Sequence, residues 1–206
     1  MTNDAAMTND AAMTTEAASP EIVADRHAAA DEQLRDVMAG ADDPAAWDRP
    51  SPCEGWTARD VVGHLIDTER SFLAERAGLE PDHRVDEELL ADPAAAWRRH
   101  VDSVRRVVAD ADRMAQPFDG HFGPTTVGDT FLRFYVFDMV VHRWDLATAL
   151  GVTASLSDAE LDLIETSAAG WGDTLYMEGV CRAGVEAGPD ADREARVLAM
   201  LGRTAA

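Results

Sequence analysis

Apolar residues recur at helical spacing in four long stretches of the chain, and no stretch alternates convincingly as a strand would. The first begins at Ser19-Pro20-Glu21, where a serine can cap and proline suits the first helical position. It carries Ile22, Leu34, Val37 and Met38 inward and stops at Gly40. A loop rich in Asp and Pro closes with SPCEGW, and Thr57 to Asp60 then has the spacing of a capping box. The inward stripe of this second helix reads Val61, His64, Leu65, Thr68 and Phe72 until Gly78 and Pro81 break it. The acidic segment from Asp82 to Asp92 reads as a solvated loop. A third helix opens near Pro93, places Trp97, Val101, Val104, Val107 and Val108 on one face, and ends by Pro117. After a turn-rich loop, FDGHFGPTT, the Thr126 to Asp129 pair repeats the capping pattern and a fourth helix runs to Gly151. Ser157 can cap a further helix and Asp190 can precede a last one, REARVLAMLGR. The pattern predicts an all-α, four-helix bundle over residues 19–206, with a short C-terminal helical extension from about residue 155.

The fourth stretch, FLRFYVFDMVVHRWDLATAL, holds an acid and an imidazole that need a partner. Asp138 and His142 are four residues apart, so on a helix both leave the same face. His64 interrupts the second apolar stripe in the same way. It lies about 10 Å beyond the Thr57 cap, and His142 about 13 Å before Gly151, at 1.5 Å per residue. If the two helices are antiparallel neighbours, the depths coincide and three donors meet, with coordination positions left open. Two plainer readings stand beside this one: a hydrogen-bonded core histidine at His64, and a self-contained Asp138–His142 pair. A divalent ion satisfies all three groups at once in a buried site.

Composition narrows the partners. With 39 acidic against 18 basic residues the formal charge is −21, which repels nucleic acid and anionic membranes at long range. All the basic residues are arginine, a drift typical of GC-rich coding. Charged residues interrupt the longest apolar run, so no membrane span is expected. The N-terminus lacks the basic and apolar regions of a signal peptide. Residues 1–18 are a polar near-repeat, MTNDAA twice and then MTTEAA, expected to be a disordered tail. Cys53 and Cys181 form neither a disulfide framework nor a zinc-ribbon spacing, which fits a cytoplasmic protein.

Four neighbours of the triad have competing readings. Asp145, three residues past His142, can orient that imidazole or make a surface ion pair with an arginine. Trp144 is on another face and reads as packing. His121 in the GHFGP loop reads as a solvated histidine, with a proton-shuttle role as the alternative. Cys53 has no base beside it in sequence and reads as a small buried residue next to Trp56 rather than a nucleophile.

The strings PCEGWTARDVVGHL and FGPTTVGDTFLRFYVFDMVVHRWDLATALG, with the closing VLAMLGR, resemble the actinobacterial branch of the DinB-like metal-binding superfamily. That branch includes the N-terminal domain of mycothiol-dependent maleylpyruvate isomerase and related thiol transferases. The resemblance spans Ile22 to Arg203 and implies an up-down-down-up bundle holding a divalent metal through His64, Asp138 and His142. Asp138 stands where many relatives have histidine and the isomerase has glutamate. The metal expected is zinc, with nickel and manganese as the other candidates. The isomerase carries a further C-terminal domain where this chain has a helical tail, so the expectation carried over is thiol chemistry and not maleylpyruvate isomerisation itself. A transferase or isomerase in which the metal activates a low-molecular-weight thiol, mycothiol, toward a small electrophilic substrate is the leading expectation. A non-catalytic binding or stress-response module stapled by its metal is the alternative. The catalytic residues are left unassigned, and dimerisation through the outer helices is left open.

Overall fold

Caps set the helix boundaries, mostly where the sequence places them. The computed structural model describes residues 18–41, 43–177 and 180–204. The tail expected to be disordered lies outside these residues, apart from Ala18, whose amide donates to Asp129. Ser19 accepts from the Ile22 amide and opens α1 (Pro20–Ala39). Thr57 and Asp60 form a reciprocal capping box at the head of α2 (Ala58–Ala77), and Gly78 closes that helix in the left-handed region, φ 67°. The acidic linker is not a loop throughout: α3 (Arg84–Ala91) forms within it. Val85 is buried and Leu89, one turn on, packs against the core, while Glu88 pairs with Arg99. The acids that suggested solvation are this short helix's outer face.

Asp92 caps α4 (Pro93–Val108), which ends earlier than Pro117 because a separate turn, α5 (Ala111–Met114), follows under its own Asp110 cap. The turn-rich loop is a β-hairpin, Pro117–Gly120 paired with Gly123–Thr126. Its strands are too short and too polar to alternate visibly. Thr126 then caps α6 (Val127–Thr130), which passes through a π-helical stretch at Phe131–Val136 into α7 (Phe137–Leu150). Beyond Gly151, Ser157 caps α8 (Asp158–Trp171) with Glu160, and Asp192, not Asp190, caps α9 (Arg193–Met200). Ile22 is exposed; Val23 is the inward residue of that turn.

Side-chain contacts give the direction of each helix. Trp56 and Cys53, before α2, lie beside His142 and Asp145, whereas Phe72 near the end of α2 stacks on Tyr135. The α2 and α7 helices are therefore antiparallel. His27 lies against Phe131 and Gln33 contacts Arg143, so α1 and α7 are parallel. Glu69 bonds His100 and the Ala77 carbonyl accepts from Arg113, so α2 and α4 also run together. With α1 and α4 packed against one another, the four long helices make an up-down-down-up bundle. One apolar cluster fills its centre, and a second joins the outer face of α7 to α8 and α9 through Phe137, Val140, Val141 and Trp144. No helix among the described residues is long and apolar enough to cross a membrane.

The bundle centre also buries charge. Glu69 (α2) contacts His100 (α4) at 2.9 Å and His27 (α1) at 3.5 Å, all three being almost wholly inaccessible. Burial pushes the Glu69 carboxyl up, but the two imidazoles outweigh it and hold it down, from an ordinary 4.5 to about 2. A depressed carboxyl contributes stability above its unfolded value and loses it as the pH falls toward the folded one. We expect Glu69→Gln to cost about 3 kcal/mol near neutrality, the scale for breaking a buried charge pair. The gap from wild type should close between pH 4.5 and about 2, read as urea midpoints across that range.

Candidate functional site

The antiparallel seam of α2 and α7 brings the three sequence-predicted donors together. His64 Nε2 lies 3.1 Å from Asp138 Oδ2, and the His64 and His142 rings are 5.0 Å apart at their centroids. One donor atom from each of the three residues lies within 4.8 Å of the others. Two donors bound to one ion at 2.0–2.1 Å in a tetrahedral site are about 3.3 Å apart, and the His64–Asp138 spacing of 3.1 Å is close to that value. The expectation of a buried site needs correction. His64 and Asp138 are 25% and 32% exposed and only His142 is buried, because the donors form the floor of an open cleft. That cleft holds about 1230 Å³.

His142 is oriented from behind. Its Nδ1 contacts Asp145 Oδ2 at 2.9 Å, and Arg203 donates to both oxygens of the same carboxylate, at 3.2 and 2.7 Å. Burial pushes the Asp145 carboxyl up, but the bonds from His142 and Arg203 outweigh it and hold the group well below the usual carboxylate range. An ionised Asp145 accepts and cannot donate, so the hydrogen between the two groups sits on His142 Nδ1. Both readings of Asp145 therefore hold in part: it orients the imidazole, and it pairs with an arginine, though a buried one. Arg203 reaches it because Gly202 turns the chain at φ 76°, where a Cβ would come within 2.9 Å of Arg182.

Cys53 belongs to the same network and was read from sequence only as packing. Its thiol donates to Asp145 at 3.3 Å, and its sulfur lies 3.9 Å from His142 Nδ1. Burial and the Asp145 charge push the thiol up to about 12, so it stays protonated and is no nucleophile at neutral pH. Cys53, His142 and Asp145 form a second group of potential ligands. Arg203 already neutralises that carboxylate, so a cation there would face a guanidinium, whereas among the described residues no arginine pairs with Asp138. Trp144 packs in the outer cluster, as expected. His121 is exposed on the hairpin turn and lines the cleft. Trp56, within 4.8 Å of His64 and 6.0 Å of His142 by ring centroid, walls both imidazoles and went unread as a site residue.

An up-down-down-up bundle with two imidazoles and a carboxylate at its second and fourth helices defines a DinB-like helical domain. The chain belongs to the mycothiol maleylpyruvate isomerase N-terminal domain family, which matches residues 27–147. It is also 31% identical over 121 residues to uncharacterized proteins of Mycobacterium tuberculosis, one from strain CDC 1551 / Oshkosh and one from strain ATCC 25618 / H37Rv. Each match covers 58% of this chain and 63% of the relative. No solved structure gives a significant match. The family match ends before α8, so Arg203 acts on the site from outside it.

Removing Arg203 strands a buried carboxylate. We expect Arg203→Ala to destabilise the fold by about 3–5 kcal/mol. Adding Asp145→Asn should recover part of that loss, a non-additivity measurable by urea unfolding of the two single variants and the double.

Proposed function

We propose that this chain is a divalent-metal-binding protein that uses His64, Asp138 and His142 as ligands and presents a low-molecular-weight thiol, mycothiol, to a small electrophile in a transfer or isomerisation reaction. The observation that carries the reading is the convergence of two imidazoles and a carboxylate on the floor of a cleft large enough for a thiol and a second molecule. Zinc suits two nitrogens and one oxygen best, with nickel and manganese as the alternatives. When bound, the ion would act as a Lewis acid that favours the thiolate at neutral pH.

The chain's own residues divide the remaining work. Asp145 and Arg203 hold the His142 ring in one orientation and fix its Nδ1 hydrogen. Trp56 covers both imidazoles on one side and keeps water from that face. Cys53, protonated, is a donor to Asp145 and does not compete as a thiolate. A structural staple is the second reading, favoured by the fact that the donors come from two helices that pack directly on one another.

Calorimetric titration of the chelator-treated protein tests the proposal. One zinc ion per chain is expected to bind. His142→Ala should weaken it by at least about 100-fold with the helical circular dichroism unchanged, since even groups that merely orient a ligand are worth roughly 10–100-fold. Less than about a tenth of an equivalent of any of the three metals would sink the assignment. Mycothiol added to cobalt-loaded protein separates the two readings: a shift in the visible spectrum supports thiol activation. An unchanged spectrum, together with a large metal-dependent rise in melting temperature, supports the staple.

A further inference from the structure

The wall of the cleft differs from its floor. Phe122, Phe134 and Trp171 form a row of nearly parallel rings, with centroids 6.1 Å and 5.2 Å apart and interplanar angles of 12° and 3°. Phe137, beside Asp138, meets Trp171 edge-on at 4.6 Å. Four of the seven large apolar side chains exposed among the described residues, Phe122, Tyr176, Met177 and Val180, line this one cleft. Such concentration of exposed apolar surface at a concave site marks a ligand surface.

Apart from His121, the charged side chains that line the cleft are already paired. Among the described residues, the lining carboxylates Glu54, Asp67, Glu75 and Asp138 pair with Arg182, Arg70, Arg76 and His64. The lining arginines, Arg182 and Arg203, are held by Glu54 and Asp145. Arg133 lies over Phe122 at 4.7 Å and Phe134 at 5.8 Å and is not among the residues that line the cleft. The Trp171 indole N–H is buried with no partner among the described residues.

From this we infer that the electrophile's subsite takes an uncharged, planar aromatic molecule, stacked along the Phe122–Phe134–Trp171 row. A flat ring can extend this row of nearly parallel rings at its exposed member, Phe122. A neutral molecule gives up little hydration on entering, whereas a carboxylate would lose its water with no unpaired arginine among the described lining residues to replace it. A small dicarboxylate is the wrong substrate for this wall. The inference deepens the proposed function by naming the substrate class, and it rests on that reading only for the word substrate; the binding surface itself involves none of the three donors.

Calorimetry of the full chain with 2-naphthylmethanol and 2-naphthoate, in chelator so that no metal contributes, tests the inference. The alcohol should bind at least about tenfold more tightly than the carboxylate, which lacks a partner for its charge. Phe122→Ser, at an exposed position, and Phe134→Leu should each weaken the alcohol by about three- to tenfold, the worth of one aromatic contact. Their melting temperatures and circular dichroism check that the fold is intact. Undetectable binding of the alcohol, equal or tighter binding of the carboxylate, or affinities unmoved in both variants would overturn it. Because these measurements are made without metal, their failure leaves the zinc titration to stand or fall separately.

Discussion

A carboxylate with no access to water governs the architecture around the cleft. Asp145 sits in the middle of α7, and an ionised group there is untenable without donors on every side. The chain supplies them from three places: His142 from one turn earlier, Cys53 from the loop before α2, and Arg203 from beyond the last helix. Because those three segments are far apart in sequence, satisfying one side chain closes the fold over the site. The C-terminal extension is thus more than a cover on the second apolar cluster. It delivers the guanidinium that allows Asp145 to stay charged, and through Asp145 it sets the imidazole facing the cleft.

The same problem is solved differently in the centre of the bundle. Glu69 is equally inaccessible, but its neutralising groups are imidazoles, and the His27 contact at 3.5 Å leaves Glu69 Oε1 and both His27 ring nitrogens without a hydrogen-bond partner among the described residues. One buried acid is held by a guanidinium and an imidazole, the other by two imidazoles.

Much of this was legible from the residues, and the reasons are local. Thr57 with Asp60, Ser157, and Gly151 announced helix ends through chemistry confined to one turn. The meeting of His64 with Asp138 and His142 followed from depth along the two helices once they are taken as antiparallel neighbours, a calculation that uses the rise per residue. What escaped notice depended on distant partners. Nothing near Arg203 in sequence points to Asp145, and nothing near Glu69 points to His27 or His100. The segment from Asp82 to Asp92 misled because its two inward residues, Val85 and Leu89, are outnumbered by acids on the face turned to water. The cleft was invisible for a related reason: whether a half-exposed helix face looks onto water or onto another wall depends on the extension opposite.

The π-helical stretch at Phe131–Val136 adds a point about how the chain can vary. A π turn is an α-helix that has absorbed an extra residue, and it is kept only where neighbours hold it. Here His27 and Phe72 grip it through Phe131 and Tyr135. The stretch works as a local reservoir of length immediately upstream of Asp138. Loss of a single codon there would relax it to an ordinary helix and turn Asp138 and His142 together by about 100° relative to α6. The spacing within the pair is immune to such an event, while its alignment with His64 is not. Length variation among related chains should then be permitted in the hairpin or after Gly151 and punished within these six residues.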